Sequence, residues 1–294
     1  MITAFHLPFY TPIWVAERLG AFRDEGLSVS IHTPAPGQSP AALERGEADV
    51  SLGGVMRSFI LADQPDPRYL IAIAEVNSRD GFFILSRSPA DNFQWQDLIG
   101  RRLALFSLAP TPWMCLQGVL RREGVDPASI TTVADLGVAE GIAALLDGHV
   151  DFLQTSQPMA AELVEQGQAF LARAQALDVG HVPYSSLIVT EAFRSERPET
   201  CAAVVRATAR ALRWMATQPS DVIADLVASE FPEIPSSRLR TIISVYQTAD
   251  TWADGPRQDR AAFERLGQYL VAGGLIGQAA SYEALVDDSF SAIA

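Results

Sequence analysis

One apolar run, residues 69–76 (YLIAIAEV), constrains this chain more than any other stretch. It lacks the alternation of a half-exposed strand and is short for a buried helix, so it reads as a strand covered on both faces. Such a strand needs helices on either side of its sheet. The flanking sequence supplies them. Residues 2–6, 27–32 and 48–52 read as strands, interleaved with helical stretches at 11–21, 41–45 and 55–62. The rhythm then repeats, with strands at 82–85, 102–106, 130–134, 150–153 and 184–190 and helices at 112–123, 139–146 and 158–166. After Glu191 the strands stop, and 198–217, 219–230, 235–248 and 258–272 read as consecutive helices. The alternation predicts an α/β chain with mainly parallel sheets and a helical C-terminal segment.

Two segments share one organisation. Leu43 to Val50 (LERGEADV) and Leu145 to Phe152 (LLDGHVDF) each run from a helix end through a glycine stop to an aspartate and a strand. This predicts two similarly built lobes. Lobe 1 is expected to be discontinuous, 1–85 plus 188–294, with lobe 2 at 86–187.

Composition excludes several functions. The formal net charge of −13 repels phosphate backbones and anionic lipid, so no nucleic-acid partner is expected. Cys115 and Cys201 sit among apolar neighbours in predicted helices and read as buried free thiols. The four histidines, His6, His32, His149 and His181, show no zinc spacing, and neither metal nor cofactor is expected. No stretch approaches the length of a membrane span, and the start Met1-Ile2-Thr3-Ala4-Phe5 lacks the pattern of a secretory leader. A periplasmic location is therefore expected if a leader has been removed, with the cytoplasm as the alternative.

Four stretches then carry a family resemblance. They are Pro8-Phe9-Tyr10 with 14–29 (WVAERLGAFRDEGLSV), 42–53 around Asp49, 95–104 (WQDLIGRRLA), and 144–151. Their order and spacing resemble the type II periplasmic binding protein fold, in its NMT1/THI5-like and SsuA/TauA-like branch. The likeness covers about the first 190 residues well. It implies a solute-binding protein of an ABC-type importer, with an ABC permease as partner; a monomer is expected. Turn chemistry gives many of the same residues a scaffold role: Gly20 ends a helix, Gly26 reverses the chain, and Asp97 with Gly100 turns it into the next strand.

Ligands of open α/β sheets bind beyond the carboxyl ends of the strands. That rule selects Phe9, Tyr10, Thr11, Gln38, Gly53, Gly54, Arg57 and Asn77 in the first lobe, and Ser107, Thr111, Trp113 and Thr155 in the second. The strands near Phe82 and Tyr184 are expected to floor an interlobe cleft. Related sulfonate and taurine binders carry Gly-Ser-Thr where this chain has Ala109-Pro110-Thr111-Pro112. Thr111 is expected as an N-cap, but the two prolines lack N–H donors, which weakens the case for a tetrahedral anion. Arg57 is open to two readings, a cation facing an anionic group or a solvated helix residue. The aromatic residues near these loops point to an aromatic or heteroaromatic ligand, thiamine-pyrimidine-like in the terms of the resemblance. The alternative function is a cytoplasmic enzyme on the same fold, a lyase, decarboxylase or desulfinase acting on a small aromatic acid. No catalytic residue is assigned, because neither Cys115 nor His6 acquires a convincing partner in the sequence.

Overall fold

The computed structural model describes residues 1–293. They form nine strands: β1 (Ile2–Thr3), β2 (Ser51–Gly53), β3 (Leu70–Asn77), β4 (Phe82–Ser86), β5 (Arg102–Ala104), β6 (Thr131–Val133), β7 (Phe152–Ser156), β8 (Phe170–Ala174) and β9 (Ser185–Thr190). The chain divides into two compact units, Met1–Arg79 with His181–Ala294, and Asp80–Gly180. These boundaries lie upstream of 85 and 187. The reason is pairing: β4 sits inside the second unit's sheet, and β9 inside the first unit's sheet.

Unit 1 is built on a sheet of order β1-β2-β9-β3. All eight residues of β3 are buried, as its continuous apolar run requires. The stretch 251–256 covers the outer edge of β3, with Glu75 N–H donating to Pro256 O at 2.8 Å and Ala253 N–H to Val76 O at 3.0 Å. At the other edge, residues 27–32 do not form the expected strand. Only His32 bridges Ile2, and Leu27, Val29 and Ile31 are half-buried. The alternation is real, but the segment meets β1, itself two residues long, at one point.

The C-terminal helices enclose this sheet. The longest, Pro198–Met215, buries its apolar face and packs on the Thr11–Arg18 helix. Arg206 and Arg210 pair with Glu25 and Asp24 at 2.7 and 2.6 Å, fixing the turn between Gly20 and Gly26. The Arg260–Ala272 helix packs on the Met56–Ala62 helix, where Phe263 stacks on Phe59 with ring centroids 4.6 Å apart.

Unit 2 holds a five-stranded sheet of order β6-β5-β7-β4-β8. Its helices are Thr111–Arg122, Val138–Leu146, Met159–Glu165 and Ala176–Val179. Both sheets are mixed rather than mainly parallel. β1–β2, β5–β6 and β5–β7 pair parallel, whereas β9 runs antiparallel to β2 and β3, and β4 runs antiparallel to β7 and β8. The exceptions come from β4 and β9, the strands by which the chain enters unit 2 and returns to unit 1; neither is followed by the right-handed crossover that makes parallel neighbours. Among the described residues, no helix is long and apolar enough to cross a membrane.

Candidate functional site

In unit 1, β1, β2 and β3 end on the same side of the sheet, and β9 begins there. Ser186 lies between Gly53 and Glu75, and Ser185 faces Asn77. This row carries a concentration of buried polar groups. Ser186 Oγ, Asn77 Oδ1 and Glu75 Oε2 are buried without hydrogen-bond partners, as is Ser58 Oγ on the adjoining Met56–Ala62 helix. Buried polar atoms normally find partners, so a cluster of exceptions at one sheet end is informative.

The aromatic residues selected from the sequence form the wall behind this row. The Phe9 ring meets Tyr184 and Tyr246 edge-on, at 5.7 and 5.8 Å, and tilts against Tyr10 at 5.3 Å. Its carbonyl accepts two hydrogen bonds, from Asn77 Nδ2 at 2.9 Å and Trp252 Nε1 at 3.0 Å. Asn77 therefore commits its amide nitrogen to the loop and keeps its oxygen. Tyr10 is buried, and burial pushes its phenol up to about 12, with Ser185 and Arg57 opposing the shift. Thr11 is fully buried and donates to Pro8 O at 2.7 Å. Gln38 is exposed at the start of the Ser39–Glu44 helix.

Arg57 is half-buried, and its guanidinium makes one long hydrogen bond, 3.4 Å to Gly37 O. Loss of hydration lowers its pKa, and the neighbouring Tyr10 opposes this. A histidine–carboxylate pair also lies at this sheet end. His181 Nε2 is 2.7 Å from Glu75 Oε1, and Arg265 Nη1 donates to the His181 carbonyl at 2.6 Å.

In unit 2, β5 and β7 run parallel; Ser107, Thr111 and Trp113 lie beyond the carboxyl end of β5, whereas Thr155, expected in a loop, and Ser156 are the last two residues of β7 itself, paired with Phe83 and Phe82. Ser107 is exposed, Trp113 half-buried, and Thr111 and Thr155 buried. Thr111 is the first residue of its helix rather than the N-cap, because Pro110 already has helical angles, φ −77° and ψ −21°. The prolines at 110 and 112 provide no N–H at this helix start.

Behind these loops lies a polar network that the sequence did not reveal. Asp80 is fully buried; it accepts from Phe82 N–H at 3.1 Å and from Gln175 Nε2 at 2.7 Å. Gln175 Nε2 also donates to Pro112 O at 2.9 Å, and Gln154 Nε2 donates to Gln175 Oε1 at 2.8 Å. Burial raises the Asp80 carboxyl to about 7. A cavity of about 790 Å³ in this unit lies elsewhere, lined by Arg101 and Asp151 near the amino ends of β5 and β7.

The catalytic candidates are engaged structurally. His6 donates through Nε2 to Glu230 O at 2.7 Å and packs edge-on against Trp14. Cys115 and Cys201 are fully buried free thiols. Among the described residues, no group of three or more His, Cys, Asp or Glu side chains is arranged to hold a metal.

Comparison with known proteins agrees with this architecture. The family model described as NMT1/THI5 like matches residues 8–222. YtlA of Bacillus subtilis (strain 168) is 24% identical over 284 residues, spanning 96% of this chain and 85% of YtlA. The periplasmic aliphatic sulphonate binding protein SsuA from Escherichia coli superposes with a TM-score of 0.76 at 16% identity, covering 97% of this chain and 95% of that one. The ligand binding component of an ABC-type import system from Staphylococcus aureus gives 0.75 at 11% identity, with 99% and 97% covered. The chain belongs to the NMT1/THI5-like family, has the type II periplasmic binding protein fold, and is related to the substrate-binding proteins of ABC-type importers.

Proposed function

We propose that the protein is the solute-binding component of an ABC-type importer and takes a small organic molecule with an aromatic or heteroaromatic body. The observation that carries this reading is the row at the end of the unit 1 sheet. There, unpartnered oxygens of Ser186, Asn77 and Ser58 lie beside a wall of Phe9, Tyr10 and Tyr184. Aromatic walls with a few placed polar groups are the usual make-up of a small-molecule site. Within unit 2 taken by itself, Ser107, Thr111, Trp113 and Thr155 remain the proposed ligand-facing residues. The two prolines at the start of the Thr111–Arg122 helix make that helix end a poor receptor for a tetrahedral anion.

The biological setting follows from this reading. The partner is a membrane permease, the working form is a monomer, and the compartment is the periplasm. Native mass spectrometry of freshly purified protein tests the core claim. The expected result is a retained organic solute released on unfolding, which rebinds to the refolded chain and protects it against heat. Replacing Ser186 and Asn77 by alanine is expected to weaken rebinding by at least tenfold. Unaltered affinity in that double variant would remove the unit 1 sheet end from the site.

A further inference from the structure

We infer that Arg57 holds the carboxylate of the solute, so that the ligand is a small organic acid bound through its acid group at the unit 1 sheet end. This deepens the solute-binding reading and rests on it.

All 22 basic residues of the chain are arginine, set against 35 acidic ones. With acids in such excess, an arginine that leaves water would ordinarily find one. The half-buried Arg173, Arg194 and Arg206 all do, at 2.6 to 3.0 Å. Arg57 does not. Half-buried, it makes no ion pair among the described residues and spends only one N–H on the distant carbonyl of Gly37. Removing a cation from water without a counter-charge is unfavourable, and its lowered pKa reflects that cost.

Position supplies the second observation. Arg57 stands four residues after Gly53, which lies beside Ser186, the serine whose fully buried Oγ has no partner. The Tyr10 phenol lies close enough to Arg57 for the two to shift each other's ionisation, and its raised pKa keeps its proton on at neutral pH. A guanidinium fork beside a phenolic O–H suits a flat, two-oxygen acceptor: two parallel N–H donors and one hydroxyl donor satisfy a carboxylate. The Arg45–Glu47 pair shows that bidentate geometry in this same chain, at 2.6 and 2.8 Å.

The test uses benzoate, benzamide and benzenesulfonate as probes of the full chain, with affinity read by calorimetry. The expected result is that benzoate binds the wild type, while benzamide and benzenesulfonate bind at least tenfold more weakly. Arg57→Gln is expected to weaken benzoate about 30-fold or more, the scale for removing one partner of a charge-assisted pair. The same substitution should leave the melting temperature of the ligand-free protein unchanged or slightly higher, because it removes an uncompensated charge. If benzamide binds as well as benzoate, or if Arg57→Gln leaves benzoate affinity unchanged, the assignment of Arg57 falls while the solute-binding reading stands. Stronger binding of benzenesulfonate overturns the carboxylate class. Absence of binding by all three probes overturns the inference, and if no solute is retained in native mass spectrometry either, the reading beneath it falls too. The comparison of the three probes on the wild type keeps the test valid if Arg57→Gln fails to fold.

Discussion

The imidazole of His181 lies 2.7 Å from the carboxylate of Glu75, a half-exposed base on a buried acid. Glu75 lies two residues before the end of a strand whose every residue is buried, and burial raises its pKa while His181 draws it back. His181 is raised in turn, chiefly by its hydrogen bond to Glu75, with Asp259 adding to the shift and Arg265 opposing it.

Replacing His181 by alanine should therefore expose the cost of Glu75. The loss is expected to be about 1–3 kcal/mol, the usual penalty for orphaning a buried polar group. The double variant His181→Ala with Glu75→Gln should recover part of it, because a neutral amide is less costly to bury. Urea unfolding at pH 6 measures both. The sign with pH follows from the raised pKa of His181. The pairing stabilises fully below the unfolded-state value and is lost as pH rises through the native one. The imidazole proton resonances of His181 should titrate with a midpoint above 6.5, and Glu75→Gln should move that midpoint down.

Asp80 predicts a different pH dependence. Its carboxyl is raised to about 7, so between its ordinary value and that point the native state holds a proton that the unfolded chain has released. Stability is thus expected to fall as pH rises from about 4 to about 7 and then to level off. Asp80→Asn should remove that fall, so the stability difference between variant and wild type shifts toward the variant with rising pH, by on the order of a few kcal/mol. Thermal unfolding across pH 4 to 9 checks it; parallel curves for the two proteins would count against the buried proton.

Gly267 tests the packing of the C-terminal helices. A methyl group there would meet Ala279 Cβ at 2.9 Å and the Phe59 ring at 3.3 Å. Gly267→Ala gains helix propensity but overpacks the Phe59–Phe263 stack, and a net loss of about 1–3 kcal/mol is expected. Circular dichroism during heating would show it.

The thiols give a chemical check. Cys115 is fully buried, and burial pushes it well above the ordinary thiol range, with the nearby Asp80 adding to the shift. Both cysteines should resist an aromatic disulfide reagent in the native protein and react together on unfolding. Rapid reaction of Cys115 in native buffer would contradict the burial.

The sequence showed the scaffold more plainly than the site, for a physical reason. Scaffold signals are local. Gly20, Gly26, Gly46, Gly100 and Gly148 have positive φ where a glycine stop or turn was expected, and the 69–76 run became β3 nearly residue for residue. Short-range pattern failed where edges decide. The 27–32 alternation met only a two-residue partner strand, and β8, with Phe170 and Leu171 exposed, carried no buried face to announce it. Site residues depend on partners far along the chain. Nothing near Asp80 pointed to Gln175, and nothing near His181 pointed to Glu75. That Arg57 forms no ion pair among the described residues depends on carboxylates scattered far along the chain, which no local window contains.

The placement of β9 bears on how the protein is made. Unit 2 is one continuous segment, whereas the unit 1 sheet keeps β2 and β3 apart until Ser185–Thr190 is inserted between them. A nascent chain released from the ribosome as far as Gly180 can complete the later unit but not the earlier one. β1 can pair with β2, but β3 must wait without its strand neighbour, its apolar faces in need of cover, and it is this late closure that a chaperone would have most reason to attend.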